Sequence, residues 1–241
     1  MLSHLRSLFW MVPLIAIATV VMGTISLFSS FFDSTGALQH KVAVAWARML
    51  LRITMVRIDV IGEHRLDPAK HYVFVSNHFS LIDTPVMFGS MPRPFRILAR
   101  HGLWRIPFLG WHLNRAGHIP VRRERPRDAV AVYPVAARKV RDGYSLLIFP
   151  EGGRTRRDDM SRFKPGAAYI AIEAQCPIVP MAIVGTREIL SPGSSNLTPG
   201  RGELRIGEPI PTDGLERKDA KELMIRVREE VARIWAAESW S

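Results

Sequence analysis

One cysteine, Cys176, stands in 241 residues. That scarcity excludes an internal disulfide framework and any zinc site built from several thiolates. Acid is also in short supply. The 22 Asp and Glu face 33 Lys and Arg, leaving a formal charge of +11, which calls for an anionic partner. Charge alone does not choose between nucleic acid, a phospholipid surface and a phosphorylated small molecule. From Ser7 to Phe32 charge of either sign is missing altogether, over SLFWMVPLIAIATVVMGTISLFSSFF. What is present is apolar enough to fold: hydrophobic residues make up 47% of the chain, so disorder is excluded and a substantial core can form.

The uncharged run holds 26 residues. As a helix it would span ~39 Å, beyond the ~30 Å hydrocarbon layer. A cleaved signal peptide has a shorter apolar stretch and a small-x-small site, whereas this run closes on Ser29-Ser30-Phe31-Phe32; a buried core helix is shorter. The sequence therefore predicts a retained membrane segment. Lys41, Arg48, Arg52 and Arg57 follow it and only His4 and Arg6 precede it, which puts the carboxyl side in the cytoplasm. A bend near Pro13 or Gly23–Ser26 would instead let the run re-enter, with both ends cytoplasmic. The next stretch, Lys41 to Met55, mixes Trp46 and aliphatics with cations, the pattern of an interfacial helix or of an amphipathic core helix.

Beyond residue 56 short β-rich runs alternate with helical ones. Val56–Ile61, Tyr72–Ser76, Phe95–Ala99, His118–Val121, Ser145–Phe149 and Ile178–Val184 read as strands, with Leu204–Ile206 as an edge strand. Helices are expected at about 83–90, 127–142, 165–175 and 218–237; in the last, Leu223, Val227, Val231 and Ile234 form a core-facing stripe. The Gly-, Pro- and Ser-rich stretch Ser191–Gly202 reads as a loop. The pattern predicts an α/β fold: residues 56–241 as one catalytic domain with a mixed, largely parallel sheet flanked by helices, and residues 1–55 as N-terminal membrane-anchoring helices.

Reactive side chains cluster at strand ends. Ser76-Asn77-His78-Phe79-Ser80-Leu81-Ile82-Asp83 follows the second strand. Five residues apart on one helix, His78 and Asp83 would face ~140° away from each other. In a strand–turn–helix, Asp83 points back at the turn, where a carboxylate on one imidazole nitrogen leaves the other as a general base. The same spacing also suits a capping box around Ser80 with His78 incidental. Phe149-Pro150-Glu151-Gly152-Gly153-Arg154 follows another strand: two glycines bring amides close to a ligand, Arg154 offers a fork for phosphate, and Glu151 is an acceptor. Lys164-Pro165-Gly166 opens the next helix. A polar turn of solvated charges would look the same. Arg122 and Arg123, with Arg125 and Arg127 beyond, suit a phosphomonoester or a solvated basic face. Ile178–Gly185 carries no reactive group and reads as a core strand, with Pro180 shaping a pocket wall.

In order and content these four segments resemble the glycerophospholipid acyltransferase family, specifically the 1-acylglycerol-3-phosphate (lysophosphatidate) acyltransferases, over roughly residues 56–210. The resemblance implies His78 as catalytic base with Asp83 as its partner, and Glu151 at the catalytic site. It places Asn77, Arg122, Arg123, Gly152, Gly153, Arg154 and Lys164 at the substrate. Gly153 and Thr155 depart from the Thr and Ser more usual in the third segment, and the second is less aromatic than is common; both bear on the acceptor rather than on acyl transfer. The implied reaction moves a fatty acyl group from a thioester, acyl-CoA or acyl carrier protein, to the sn-2 hydroxyl of lysophosphatidic acid, giving phosphatidic acid. No metal or other cofactor is implied. The expected setting is the cytoplasmic face of the cell (inner) membrane. The absence of a Gly-x-Ser-x-Gly elbow, and of a histidine next to Cys176, fits direct transfer without a covalent enzyme intermediate. Glycerol 3-phosphate, another lysolipid or an acylated amino acid as acceptor, water in a thioesterase, and a membrane-tethered nucleic-acid binder are the competing readings. The last predicts basic–aromatic interleaving on an exposed sheet, and no nucleic-acid module is recognisable here.

Overall fold

The computed structural model describes residues 2–122, 126–154 and 160–240. The uncharged run folds into α1 (Leu2–Arg6), a single π turn (Ser7–Met11) and α2 (Val12–Ser29). Pro13 has no N–H and its ring crowds the carbonyl four residues back; the widened turn just before it absorbs that conflict without ending the helix. The helix continues unbroken through Pro13 and Gly23–Ser26. It reverses after Ser30, where Gly36 takes φ +81° and α3 (Ala37–Ile53) begins. Asp33 fixes that start: its carboxylate accepts the amides of Thr35, before the helix, and of Leu38 in its first turn, both at 2.7 Å, satisfying one of that turn's orphan donors.

Among the described residues seven strands follow: β1 (Val56–Ile61), β2 (Val73–Ser76), β3 (Arg96–Arg100), β4 (Ile119–Val121), β5 (Leu146–Ile148), β6 (Ile178–Val184) and β7 (Gly200–Ile206). They form one sheet in the order β1-β7-β6-β2-β5-β3-β4. β2 to β6 run parallel to their neighbours, β7 pairs antiparallel with β6, and β1 parallel with β7. The sheet is mixed and largely parallel, as expected. Two local expectations are corrected. Leu204–Ile206 is not an edge strand: β7 begins at Gly200, inside the expected loop, and β1 covers it. The expected helix 127–142 is two, α6 (Pro126–Val130) and α7 (Tyr133–Arg141), because Pro134 cannot donate to the preceding turn.

Helices cover both faces of the sheet. On one, α4 (Asp83–Ser90) and α3 bury Val86, Met87, Phe88, Ala43, Ala47 and Leu51 with Phe74, Val179 and Ile183; α3 therefore packs as a core helix, and α2 lies over it. On the other, α7, α8 (Gly166–Ala174) and α10 (Ala220–Ala236) bury Ala136, Ile170 and the expected stripe Leu223, Val227, Val231 and Ile234.

The N-terminal helix is seated on the rest of the chain along its length. Ser7 is fully buried, and its hydroxyl donates to Leu197 O (3.1 Å) and accepts from Leu197 N (3.0 Å). Trp46 Nε1 donates to Thr19 Oγ1 at 3.1 Å. Gly23 abuts Phe108, where a Cβ would lie 3.0 Å from the phenylalanine's own, and Ser26 Oγ lies 2.6 Å from His112 Nδ1. The opposite side of the helix, with Phe9, Trp10, Ile17, Val21, Ile25 and Phe28, is exposed.

Candidate active site

Because β2 to β6 are parallel, their carboxyl ends share one edge of the sheet. After β2 the chain turns to the face covered by α4; after neighbouring β5 it turns to the face covered by α8. Adjacent strands whose connections leave on opposite faces open a crevice at their carboxyl ends, the usual ligand site of such sheets. His78 follows β2 and Glu151 follows β5.

In that crevice the turn before α4 is organised by one oxygen. Asp83 Oδ2 accepts from Phe79 N and Ser80 N, both at 2.8 Å, and lies 2.9 Å from His78 Nδ1. Asp83 is fully buried, and its Oδ1 has no hydrogen-bond partner among the described residues. Ser80 does not close the expected capping box. Its hydroxyl accepts from Ile82 N and donates to Leu190 O at 2.6 Å, which ties the turn to α9 (Thr186–Ile189). With Nδ1–H donating to the carboxylate, the tautomer is set and Nε2 carries the free lone pair. The His78 ring stacks on Phe149, centroids 4.3 Å apart and planes 19° apart, so contacts on two sides fix its orientation.

Glu151 reaches the same turn. Its Oε1 accepts the His78 backbone N–H at 2.7 Å and its Oε2 accepts Ser161 N at 3.2 Å. The carboxylate thus fastens the turn that carries His78 to the loop after β5. Gly152, at φ +79°, lies under the side chain of Lys164, whose Nζ would sit 2.8 Å from a Cβ there; Lys164 N donates to Pro150 O at 3.0 Å. A side chain at 152 would displace the ammonium and strain the backbone. Gly153 and Arg154 are exposed beside it.

Asn77, expected at the substrate, is wholly buried. Its Nδ2 donates to Ile183 O (2.9 Å) and its Oδ1 accepts Ile183 N (2.8 Å), so the side-chain amide clamps β2 to β6. Arg122 is exposed at the end of β4, its Nη2 3.4 Å from His101 Nε2. β4 lies three strands from β2, ~14 Å across the ladder, so Arg122 marks the far rim of the shared edge. Arg123 and Thr155 lie outside the described residues.

Two participants had no signal in spacing. Phe149 packs on the imidazole, although its position before Pro150 reads simply as the end of a strand. Arg187 on α9 lies over the Phe79 ring, 5.1 Å from its centroid; only the sheet order brings it beside the turn. Cys176 is remote from this chemistry. Its thiol donates to His71 O at 3.1 Å, and burial pushes it up to about 12.

An imidazole backed by a buried carboxylate, beside a glycine loop and basic side chains at a switch point, has the chemistry that general-base catalysis requires. The family model for Acyltransferase matches residues 57–184. The chain is 36% identical over 185 residues to 1-acyl-sn-glycerol-3-phosphate acyltransferase alpha of Bos taurus, covering 75% of this chain and 64% of that one. The Homo sapiens protein of the same name is 35% identical over 185 residues, 75% of this chain and 65% of that one. The chain thus spans just under two thirds of the length of these relatives. The crystal structure of PlsC, the 1-acyl-sn-glycerophosphate (LPA) acyltransferase of Thermotoga maritima, superposes with a TM-score of 0.80 over 98% of this chain and 99% of that one, at 24% identity; it shares the fold. The chain belongs to the acyltransferase family.

Proposed function

We propose that this protein transfers a fatty acyl group from a thioester, acyl-CoA or acyl carrier protein, to the sn-2 hydroxyl of 1-acylglycerol 3-phosphate, giving phosphatidic acid. The observation that carries the mechanism is the His78 Nδ1–Asp83 Oδ2 contact of 2.9 Å, made to a fully buried carboxylate. Nε2 takes the proton of the hydroxyl as its oxygen attacks the thioester carbonyl. The tetrahedral intermediate collapses, the C–S bond breaks, and the thiol leaves with the proton from the imidazolium. Asp83 orients the ring and stabilises its charged form. Glu151 and Phe149 hold the base in place, and Lys164 and Arg154, with Arg122 on the rim, attract the acceptor's phosphate. The names of the curated relatives support this acceptor. The reading invokes no metal or cofactor; the thioester is a substrate.

The same reading places the protein on the cytoplasmic face of the cell membrane. With α2 fastened to the domain at Ser7, Thr19, Gly23 and Ser26, protein rather than lipid covers its inner side. A helix held this way enters one leaflet by its outer side and does not cross the bilayer alone. Acyl chains then stay in the lipid while the ester forms at the surface. The test is His78→Ala in purified membranes supplied with labelled acyl thioester and 1-acylglycerol 3-phosphate. Phosphatidic acid formation is lost while the variant still reaches the membrane; near-normal turnover would remove His78 as the base.

A further inference from the structure

Acid is absent from Thr84 to Arg123, a stretch that carries Arg93, Arg96, Arg100, Arg105, Arg115, Arg122 and Arg123. Within it the link between β3 and β4 folds as a 3-10 turn (His101–Arg105) and α5 (Leu109–Arg115). Two large apolar side chains on this link face outward, Ile106 at 47% and Trp111 at 53% exposure, with exposed Arg105 and Arg115 beside them. The link is held tightly. Gly110 abuts the Trp104 carbonyl, which a Cβ would strike, and its N–H donates to Ile106 O at 2.8 Å. Phe108 takes φ +62°, an uncommon conformation for a bulky residue.

Its position gives the patch meaning. Phe108 packs on Gly23 of α2 and meets the Trp111 ring edge to face at 5.3 Å, while His112, next to Trp111, contacts Ser26. Trp111 thereby stands next to the seat of α2 at Gly23 and Ser26, with Ile106 on the same short link. Apolar groups with an indole at the margin and arginines around them match a lipid interface: the indole sits at headgroup depth and guanidinium groups meet anionic phosphates. We propose that Ile106 and Trp111, with Arg105 and Arg115, form a second membrane-contact surface, supplied by the catalytic domain and selective for anionic lipid. The inference rests on the reading that α2 lies in lipid, and adds a contact that fixes the tilt of the domain about that helix.

The test uses the full chain with Cys176→Ala and one new cysteine, Trp111→Cys, Val21→Cys or Ile225→Cys, each carrying a nitroxide. Ile225 is exposed on α10, across the sheet. On phosphatidylcholine vesicles containing phosphatidylglycerol, positions 21 and 111 collide with oxygen in preference to a water-soluble nickel complex, and position 225 does the reverse. Position 21 in lipid with position 111 in water overturns the second contact and leaves the anchor standing; both in water overturns the two together. In the otherwise native chain, Arg105→Gln and Arg115→Gln each weaken partitioning onto these anionic vesicles about fivefold, with little change on phosphatidylcholine alone. Unchanged partitioning on the anionic vesicles would refute the anionic selectivity.

Discussion

Replacing Asp83 by Asn separates catalysis from folding at this site. The asparagine carbonyl can occupy the place of Oδ2 and keep the amides of Phe79 and Ser80. Its NH2 then falls where Oδ1 had no partner. Little stability is lost, because removing a buried charge offsets the weakening of two charge-assisted bonds. Catalysis loses more. When the His78 ring gains a proton, its partner is no longer an anion. At the effective dielectric of such sites, two unit charges ~4 Å apart interact by ~4 kcal/mol, which corresponds to about 10³ in kcat. The expected result is kcat lower by about 10³, KM for both substrates within about threefold, and a melting temperature within ~3 °C of the parent. A thiol-reactive chromophore follows the released thiol directly, and the buried Cys176 thiol, pushed up to about 12, gives little background in the folded protein. A kcat within tenfold of the parent, with the fold intact, would refute the role given to the carboxylate.

Asn77→Ala leaves Ile183 N–H and C=O without partners inside the core. It should cost about 2–4 kcal/mol and lower the melting temperature by roughly 5–10 °C; an unchanged melt would contradict the clamp. Arg154→Ala should raise the apparent KM for the phosphorylated acceptor with kcat nearly constant, and an unchanged KM would place the phosphate elsewhere. His112 is held neutral at about 4, by burial first and then by the Arg96 charge. The unfolded chain takes up this proton below about 6.5 while the folded one does not. Stability is therefore full above that pH and falls as pH drops toward 4, by about 1.4 kcal/mol per unit for this residue. Chemical unfolding in detergent at pH 7, 6 and 5 should show a slope that His112→Gln reduces by one proton's worth; an unaltered slope would refute the assignment.

Much of the sheet is legible: the central strand Ile178–Val184 is a continuous apolar run, the edge strand Val56–Ile61 is rich in Val and Ile around Arg57 and Asp59, and both occur with the expected limits. β7 was obscured because Gly200 and Gly202 read as loop, while in the fold they let the strand pass close to Ile189 and Val184. The pairing of His78 with Asp83 was legible because both groups lie within one turn. The partners of Asn77 and Glu151 were not, since Ile183 and the His78 amide lie 106 and 73 residues away and only the order of β6, β2 and β5 makes them neighbours. The length of the uncharged run signalled a membrane segment, whereas its seating on Leu197, Trp46 and His112 depends on residues with no apolar signature.

Identifying the product tests the proposed acyl transfer most directly. The purified protein in lipid vesicles is given labelled acyl-CoA or acyl carrier protein with 1-acylglycerol 3-phosphate, glycerol 3-phosphate, lysolipids bearing other headgroups, or water alone. Label is expected in phosphatidic acid, formed from 1-acylglycerol 3-phosphate at least tenfold faster than any other product. Label appearing chiefly as free fatty acid, or on an acceptor lacking the phosphomonoester, would contradict it.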